Sequence, residues 1–229
     1  MSTNDSELYK PQKSLMAKTE VELAAYQTRQ IGNNCSFHAI TAGIQLLLNY
    51  KIDPNTLAQE INAEWWRGRF MRVFPNWAVT PRMQVRIIQY LSQTRNLPIG
   101  AIYSRGTIPQ LHQMLSDPNI IPIITLIWLW GQAPAIYYAD NPNNLNQANK
   151  AQGHTMTLAA YDPDHTSGDL IQTPWGFINS WRNEAQHLYW MTENDFIKAW
   201  GFFLPRIGPN PLVLLISTIF LILLRKFLV

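Results

Sequence analysis

The sequence predicts an α+β fold of two lobes, helices first and strands later. Two observations carry this. Capped, amphipathic helical patterns fill residues 33 to about 116, and runs of β-branched and aromatic residues dominate from Ile120 onward. Composition allows a sizeable core: 47% of residues are hydrophobic, and nine Trp, nine Tyr and nine Phe exclude a mainly disordered chain.

Residues 1–20 are polar, carry both charge signs and read as a flexible arm. Residues 21–206 read as one globular domain. Asn33 and Asn34 are good N-cap types ahead of Phe37, Ile40, Ile44, Leu47 and Leu48, which recur at helical spacing. Asp53 caps a second helix with Pro54 at its first position and Leu57, Ala58 and Ile61 on one face. Thr80-Pro81 opens a third, with Val85, Ile88 and Leu91 inward, and Thr107 or Pro109 opens a fourth. Ile120–Trp130 is apolar enough for a central strand, while Tyr137–Gln152, rich in Asn, reads as a long loop. Strands are expected over Thr155–Tyr161 and Asp169–Thr173, and a helix over Glu193–Trp200.

Residues 207–229 form a separate tail after the breakers Gly208-Pro209-Asn210-Pro211. From Leu212 to Leu224 only Ser217 and Thr218 are polar, and no polar stripe marks a surface helix. The run falls short of the about 20 residues of a typical span. A C-terminal transmembrane helix is nevertheless expected, with Arg225 and Lys226 reaching the head groups; a buried helix or an oligomer contact is the alternative. No apolar signal segment is visible near Met1, so the expected arrangement is a membrane-anchored chain with a cytoplasmic domain. Arg225 and Lys226, lying beyond the span, pull the orientation the other way.

The net charge of +3 comes from scattered basic residues, with no run longer than Arg225-Lys226, so no nucleic-acid partner is expected. A single cysteine excludes an intrachain disulfide and a Cys-rich metal site.

That cysteine, Cys35, falls at the start of the first predicted helix. There the helix dipole and free N–H groups favour the thiolate, the reactive form. Gln30, five residues earlier, is placed to offer its amide N–H beside the Cys35 backbone N–H as an oxyanion hole. His154 starts an apolar strand after Gly153, where an imidazole is held in place to act as the base. His38, His112, His165 and His187 compete for that role; His38 shares the Cys35 helix, His112 is placed on a solvated helix and His165 in a turn. The segment Asp169–Trp181 should then supply a group that orients the imidazole.

Taken in order, Gln30, Cys35 and its helix, a long gap, Gly153-His154 with an apolar strand, and a strand ending in Trp175-Gly176 resemble the papain-like cysteine peptidase superfamily, closest to C39-like and related bacterial peptidases. The resemblance spans residues 25–181 by pattern. The Glu193–Trp200 segment is also similar to a closing helix of the bacterial members. The family implies a helical lobe holding the cysteine and a β-rich lobe holding the histidine, with the cleft between them. It implies a peptide or protein substrate, an acyl-enzyme and no metal or organic cofactor. The orienting residue follows from the Asn-Ser-Trp triplet of papain-like enzymes, which selects Asn179; alignment on Trp175-Gly176 selects Thr173 instead, and Asn179 is preferred.

Two other classes share these residues. Acyltransferase, transglutaminase or deamidase chemistry would use the same Cys–His pair. Asn34-Cys35-Ser36-Phe37-His38 is faintly similar to the Asn-Cys-Glu-His motif of lecithin:retinol-type acyltransferases, although those place His before Cys. A non-catalytic binding module would instead use the aromatic cluster Trp65, Trp66, Phe70, Phe74 and Trp77.

Overall fold

The computed structural model describes residues 13–63, 79–148, 150, 152–182, 186–202, 204 and 207–217. The aromatic cluster at 65–77 lies outside them. Among the described residues the chain forms six α-helices and an extended antiparallel sheet. In order these are β1 (Lys13–Ser14), a 3-10 turn (Leu15–Ala17), α1 (Glu20–Ala24), α2 (Cys35–Leu48), α3 (Pro54–Ala63), α4 (Pro81–Thr94), β2 (Ile99–Arg105) and α5 (Ile108–Met114). Then follow β3 (Ile120–Trp128), β4 (Tyr137–Tyr138), β5 (Gln152–Tyr161), β6 (Thr166–Ser167), β7 (Ile171–Gln172), β8 (Trp175–Ile178), β9 (Tyr189–Met191), α6 (Glu193–Trp200) and β10 (Pro211–Ser217).

Side-chain caps start most of the helices. Asp53 Oδ1 accepts from Thr56 N at 2.7 Å ahead of α3, and Thr80 Oγ1 accepts from Met83 N at 3.3 Å in α4. Thr107 and Gln110 close a capping box on α5, and Thr192 Oγ1 accepts from Asp195 N at 3.0 Å in α6. The exception is α2: Asn34 occupies its N-cap position without a side-chain capping bond.

The main sheet runs β2-β10-β3-β5-β8-β9-β4, with β1 pairing to the end of β5 and β6–β7 forming a separate hairpin. Helix α2 packs on β5, β3 and β10, while α4 packs on β2 and β10. At Gly43 a Cβ would lie 3.1 Å from Leu215 Cδ2 and 3.2 Å from Ile121 Cγ2, so the missing side chain lets α2 settle onto β10 and β3. Buried apolar side chains from the helices and from the sheet join one cluster, not a separate core for each of two lobes.

The C-terminal expectation is overturned. Pro211–Ser217 is a strand hydrogen-bonded to β2 on one edge and to β3 on the other, and its Leu212, Val213 and Leu215 are fully buried. A strand covered on both faces reads as an unbroken apolar run, which is why the segment lacks a polar stripe. Ile207–Leu224 therefore cannot form one membrane helix. No helix among the described residues is long and apolar enough to cross a membrane, so neither the expected C-terminal anchor nor the localisation built on it is supported. Residues 218–229 lie outside the described residues.

The last part of the expected arm, from Lys13, belongs to the fold: Lys13 pairs with Tyr161, and Leu15 is wholly buried. The strand expected over Asp169–Thr173 shortens to the two residues of β7. In α4 the inward face carries Pro81, Gln84, Ile87, Ile88 and Leu91, while Val85 is only half-buried.

Candidate active site

The packing of α2 on β5 brings Cys35 and His154 together. Hydroxyls stitch the first half of α2 to β5: Ser36 Oγ donates to Thr155 Oγ1 at 3.1 Å, and Thr157 Oγ1 donates to the Ala39 carbonyl at 3.1 Å. The register of β5 against β3 sets His154 opposite Leu126 and Thr155 opposite Thr125. Sequence neighbours thereby become partners across the interface, Cys35 with His154 and Ser36 with Thr155. Cys35 and His154 are both buried, at 2% and 3% exposure.

The sulfur sits among donors. Burial pushes the Cys35 thiol up, but a hydrogen bond to His154, its charge, and the amide and hydroxyl of Thr155 outweigh this, and the thiol is held below its ordinary value. The amides of Cys35 and Ser36 lie in the first turn of α2, where no preceding helical carbonyl meets them, and Phe37 and His38 are the first to bond back, to the Asn34 carbonyl. Asn34 turns its side chain away from these amides and donates from Nδ2 to Asn55 Oδ1 at 3.3 Å. An uncapped terminus costs about 1 kcal/mol, and it leaves the positive end of α2 directed at the thiol.

His154 Nε2 lies 2.7 Å from Asn179 Oδ1. A carbonyl oxygen only accepts, so Nε2 carries the proton and Nδ1 is left for the thiol. The ring also stacks on Trp181, with centroids 5.1 Å apart. Asn179 is itself braced, since Oδ1 accepts from Ser180 N at 2.6 Å. Thr173 is elsewhere: its hydroxyl lies 2.8 Å from His165 Nδ1 and 3.0 Å from Ser167 Oγ.

Gln30 does not point its amide at the sulfur. Its Nε2 donates to the Gly32 carbonyl at 3.2 Å, its Oε1 accepts from Ser180 Oγ at 2.5 Å, and its N–H donates to the Ser180 carbonyl at 2.7 Å. These bonds fasten the strap before α2 to the Asn179-Ser180-Trp181 turn.

The competing histidines have other partners. His38 Nδ1 lies 2.7 Å from Thr28 Oγ1, and burial lowers it to about 4. His165 stacks on Trp190 at 3.6 Å and is likewise pushed down by burial to about 4. His112 lies on a largely solvated helix but is itself half-buried, edge-on to Tyr161 at 4.2 Å and stacked on Trp175 at 5.1 Å. His187 Nδ1 is 3.7 Å from Glu20 Oε1. Among the described residues no group of three or more His, Cys, Asp or Glu could hold a metal ion.

Two features beside the dyad had no sequence expectation. One is an apolar cleft of about 290 Å³ lined by Val79, Pro81, Ile127, Trp128, Leu204 and Ile207, with Gly153, the residue before His154, in its wall. The other is Gln84 of α4, wholly buried, whose Nε2 lies 3.2–3.3 Å from Ser36 Oγ, Thr125 Oγ1, Thr155 Oγ1 and the Val79 carbonyl. A polar residue on the apolar face of an otherwise regular helix was the available signal for it.

No model of a known family matches this chain, and a search among characterised proteins finds no match in sequence.

Proposed function

We propose that the chain is a cysteine peptidase that hydrolyses amide bonds through an acyl-enzyme, on a papain-like arrangement of helices and sheet. The observation that carries the reading is the relay Cys35–His154–Asn179: a thiol at the open end of α2, an imidazole against it, and an amide oxygen 2.7 Å from the far nitrogen of that imidazole. In the proposed cycle the Cys35 thiolate attacks the carbonyl carbon. The oxyanion is held by the free Cys35 amide at the positive end of α2. Protonated His154 gives its Nδ1 proton to the leaving amine, then takes one from the water that attacks the acyl-enzyme, and the thiolate is expelled. Asn179 keeps the Nε2 tautomer throughout. Gln30 joins the oxyanion donors only by releasing Gly32. The apolar cleft beside Gly153 takes an apolar group of the substrate, such as a large aliphatic or aromatic side chain. That cleft also suits an acyl chain, which favours acyl transfer as the second reading.

A thiol-directed epoxide or vinyl sulfone tests the dyad. The wild type should be labelled at Cys35, and His154→Ala should slow labelling by at least roughly 100-fold, the usual loss with a general base. Equal labelling of the two proteins rejects the mechanism. Matched panels of peptide and acyl-ester substrates with apolar groups then divide hydrolysis of amides from acyl transfer.

A further inference from the structure

Gln84 is hard to explain as packing. It has no exposed surface, and its Oε1 has no hydrogen-bond partner among the described residues, an unfavourable state that an aliphatic residue of the same size would avoid. Its Nε2, by contrast, is crowded with acceptors: Ser36 Oγ at 3.2 Å, and Thr125 Oγ1 and Thr155 Oγ1 at 3.3 Å. Two residues of this cluster are chain neighbours of the reacting pair, and the third pairs with one of them. Ser36 follows Cys35, Thr155 follows His154, and Thr125 is the cross-strand partner of Thr155.

The direction of these bonds matters. A hydroxyl has one proton and two lone pairs. Ser36 Oγ donates to Thr155 Oγ1, and Gln84 Nε2, which has two N–H groups for four oxygens within 3.3 Å (the Val79 carbonyl among them), is placed to donate to the same oxygen. With both lone pairs engaged, the Thr155 proton can turn either to Thr125 Oγ1 at 3.3 Å or to the Cys35 sulfur, which lines the same small pocket as Thr155.

We propose that Gln84 is a positioning residue: with Ser36 it fixes the Thr155 hydroxyl as a donor to the Cys35 sulfur, so that the thiolate is stabilised by Thr155 as well as by His154. The proposal rests on the Cys35–His154 reading and adds a second, charge-neutral support to it. The other titratable groups near the sulfur are His154 of β5, His38 one turn along α2, and Tyr26 before α2, which lines the same small pocket. Asp53 at the start of α3 acts on His38, and Arg82 and Arg86 of α4 are exposed.

Alkylation of the full chain with iodoacetamide across pH is the test. Cys35 is the only cysteine in the sequence, so the reaction reports one sulfur. Gln84→Met should raise the midpoint of the rate–pH profile by about one pH unit, the scale of one lost hydrogen bond to a charged group. Its thermal midpoint should stay level or rise, because the orphaned oxygen is gone; a merely structural Gln84 predicts the opposite pair of results. Thr155→Val should raise the alkylation midpoint similarly, and Thr155→Ser should restore it. A folded Gln84→Met with the wild-type profile overturns the proposal. If Gln84→Met does not fold, Ser36→Ala and the two Thr155 variants decide: midpoints equal to wild type overturn it, and an upward shift reversed only by Thr155→Ser upholds it. His154→Ala separates the two levels. If that variant also keeps the wild-type midpoint, the Cys35–His154 reading itself fails; if it shifts and Gln84→Met does not, only the positioning role falls.

Discussion

A single hydrogen bond fixes the tautomer of His154. Asn179 Oδ1 at 2.7 Å from Nε2 leaves Nδ1 as the nitrogen able to accept the thiol proton, and the Trp181 ring covers one side of the imidazole. Asn179→Ala should therefore reduce the rate of Cys35 labelling on the order of 100-fold, since the base loses its orientation but not its place. Thr173→Val should leave that rate unchanged and lower stability by about 1 kcal/mol, because Thr173 serves His165 and Ser167. Parallel labelling and urea denaturation of the two variants distinguish an orienting residue from a structural one. The residue types at Cys35, His154 and Asn179 were legible because each sits in a short local pattern. Thr155, Ser36 and Gln84 were not, because a threonine, a serine and a glutamine acquire meaning only from what stands within 3.3 Å of them.

Among the elements, β10 has the largest consequence. It fills the gap between β2 and β3 and lies beneath α2 at Gly43, so the last described strand of the chain supports the helix that presents Cys35. Leu215 is wholly buried there. Leu215→Ala should cost about 3 kcal/mol, read as a lower urea midpoint by tryptophan fluorescence. Deleting residues 207–229 should abolish the cooperative transition and the Cys35 labelling together, since two strands would lose their neighbour and α2 its floor. A dispensable membrane tail would leave both intact. The helices were easier to read than this strand. Thr80, Thr107, Thr192 and Asp53 cap through contacts three residues away, whereas an apolar run is the same string in a lipid bilayer and in a doubly covered sheet.

For the molecule as a whole, two neutral histidines, His38 buried and His165 half-buried, set the acid limit. His38 and His165 are both pushed down to about 4 from an ordinary value of 6.5. Between those values the unfolded chain binds two protons that the folded chain refuses. Stability is therefore full above about pH 6.5 and falls as the pH drops toward 4, by up to about 2.7 kcal/mol per pH unit where both groups differ fully. Calorimetric unfolding across this range should show the fall, and His165→Gln should remove about half of it. A flat profile would mean that neither ring is held neutral by the fold.

The amino-acid sequence by itself determined the α+β class, the capped helices, the placement of Cys35 at a helix start and of His154 on a strand, because these depend on residues within a turn or two of one another. Only the tertiary structure decided that the apolar C-terminal segment is a central strand, that Gln30 fastens a turn and does not face the sulfur, that Asn179 and not Thr173 meets His154, and that a buried glutamine stands beside Ser36 and Thr155. Each of those depends on which segments become neighbours across the sheet, and that choice is made by the packing of the whole chain.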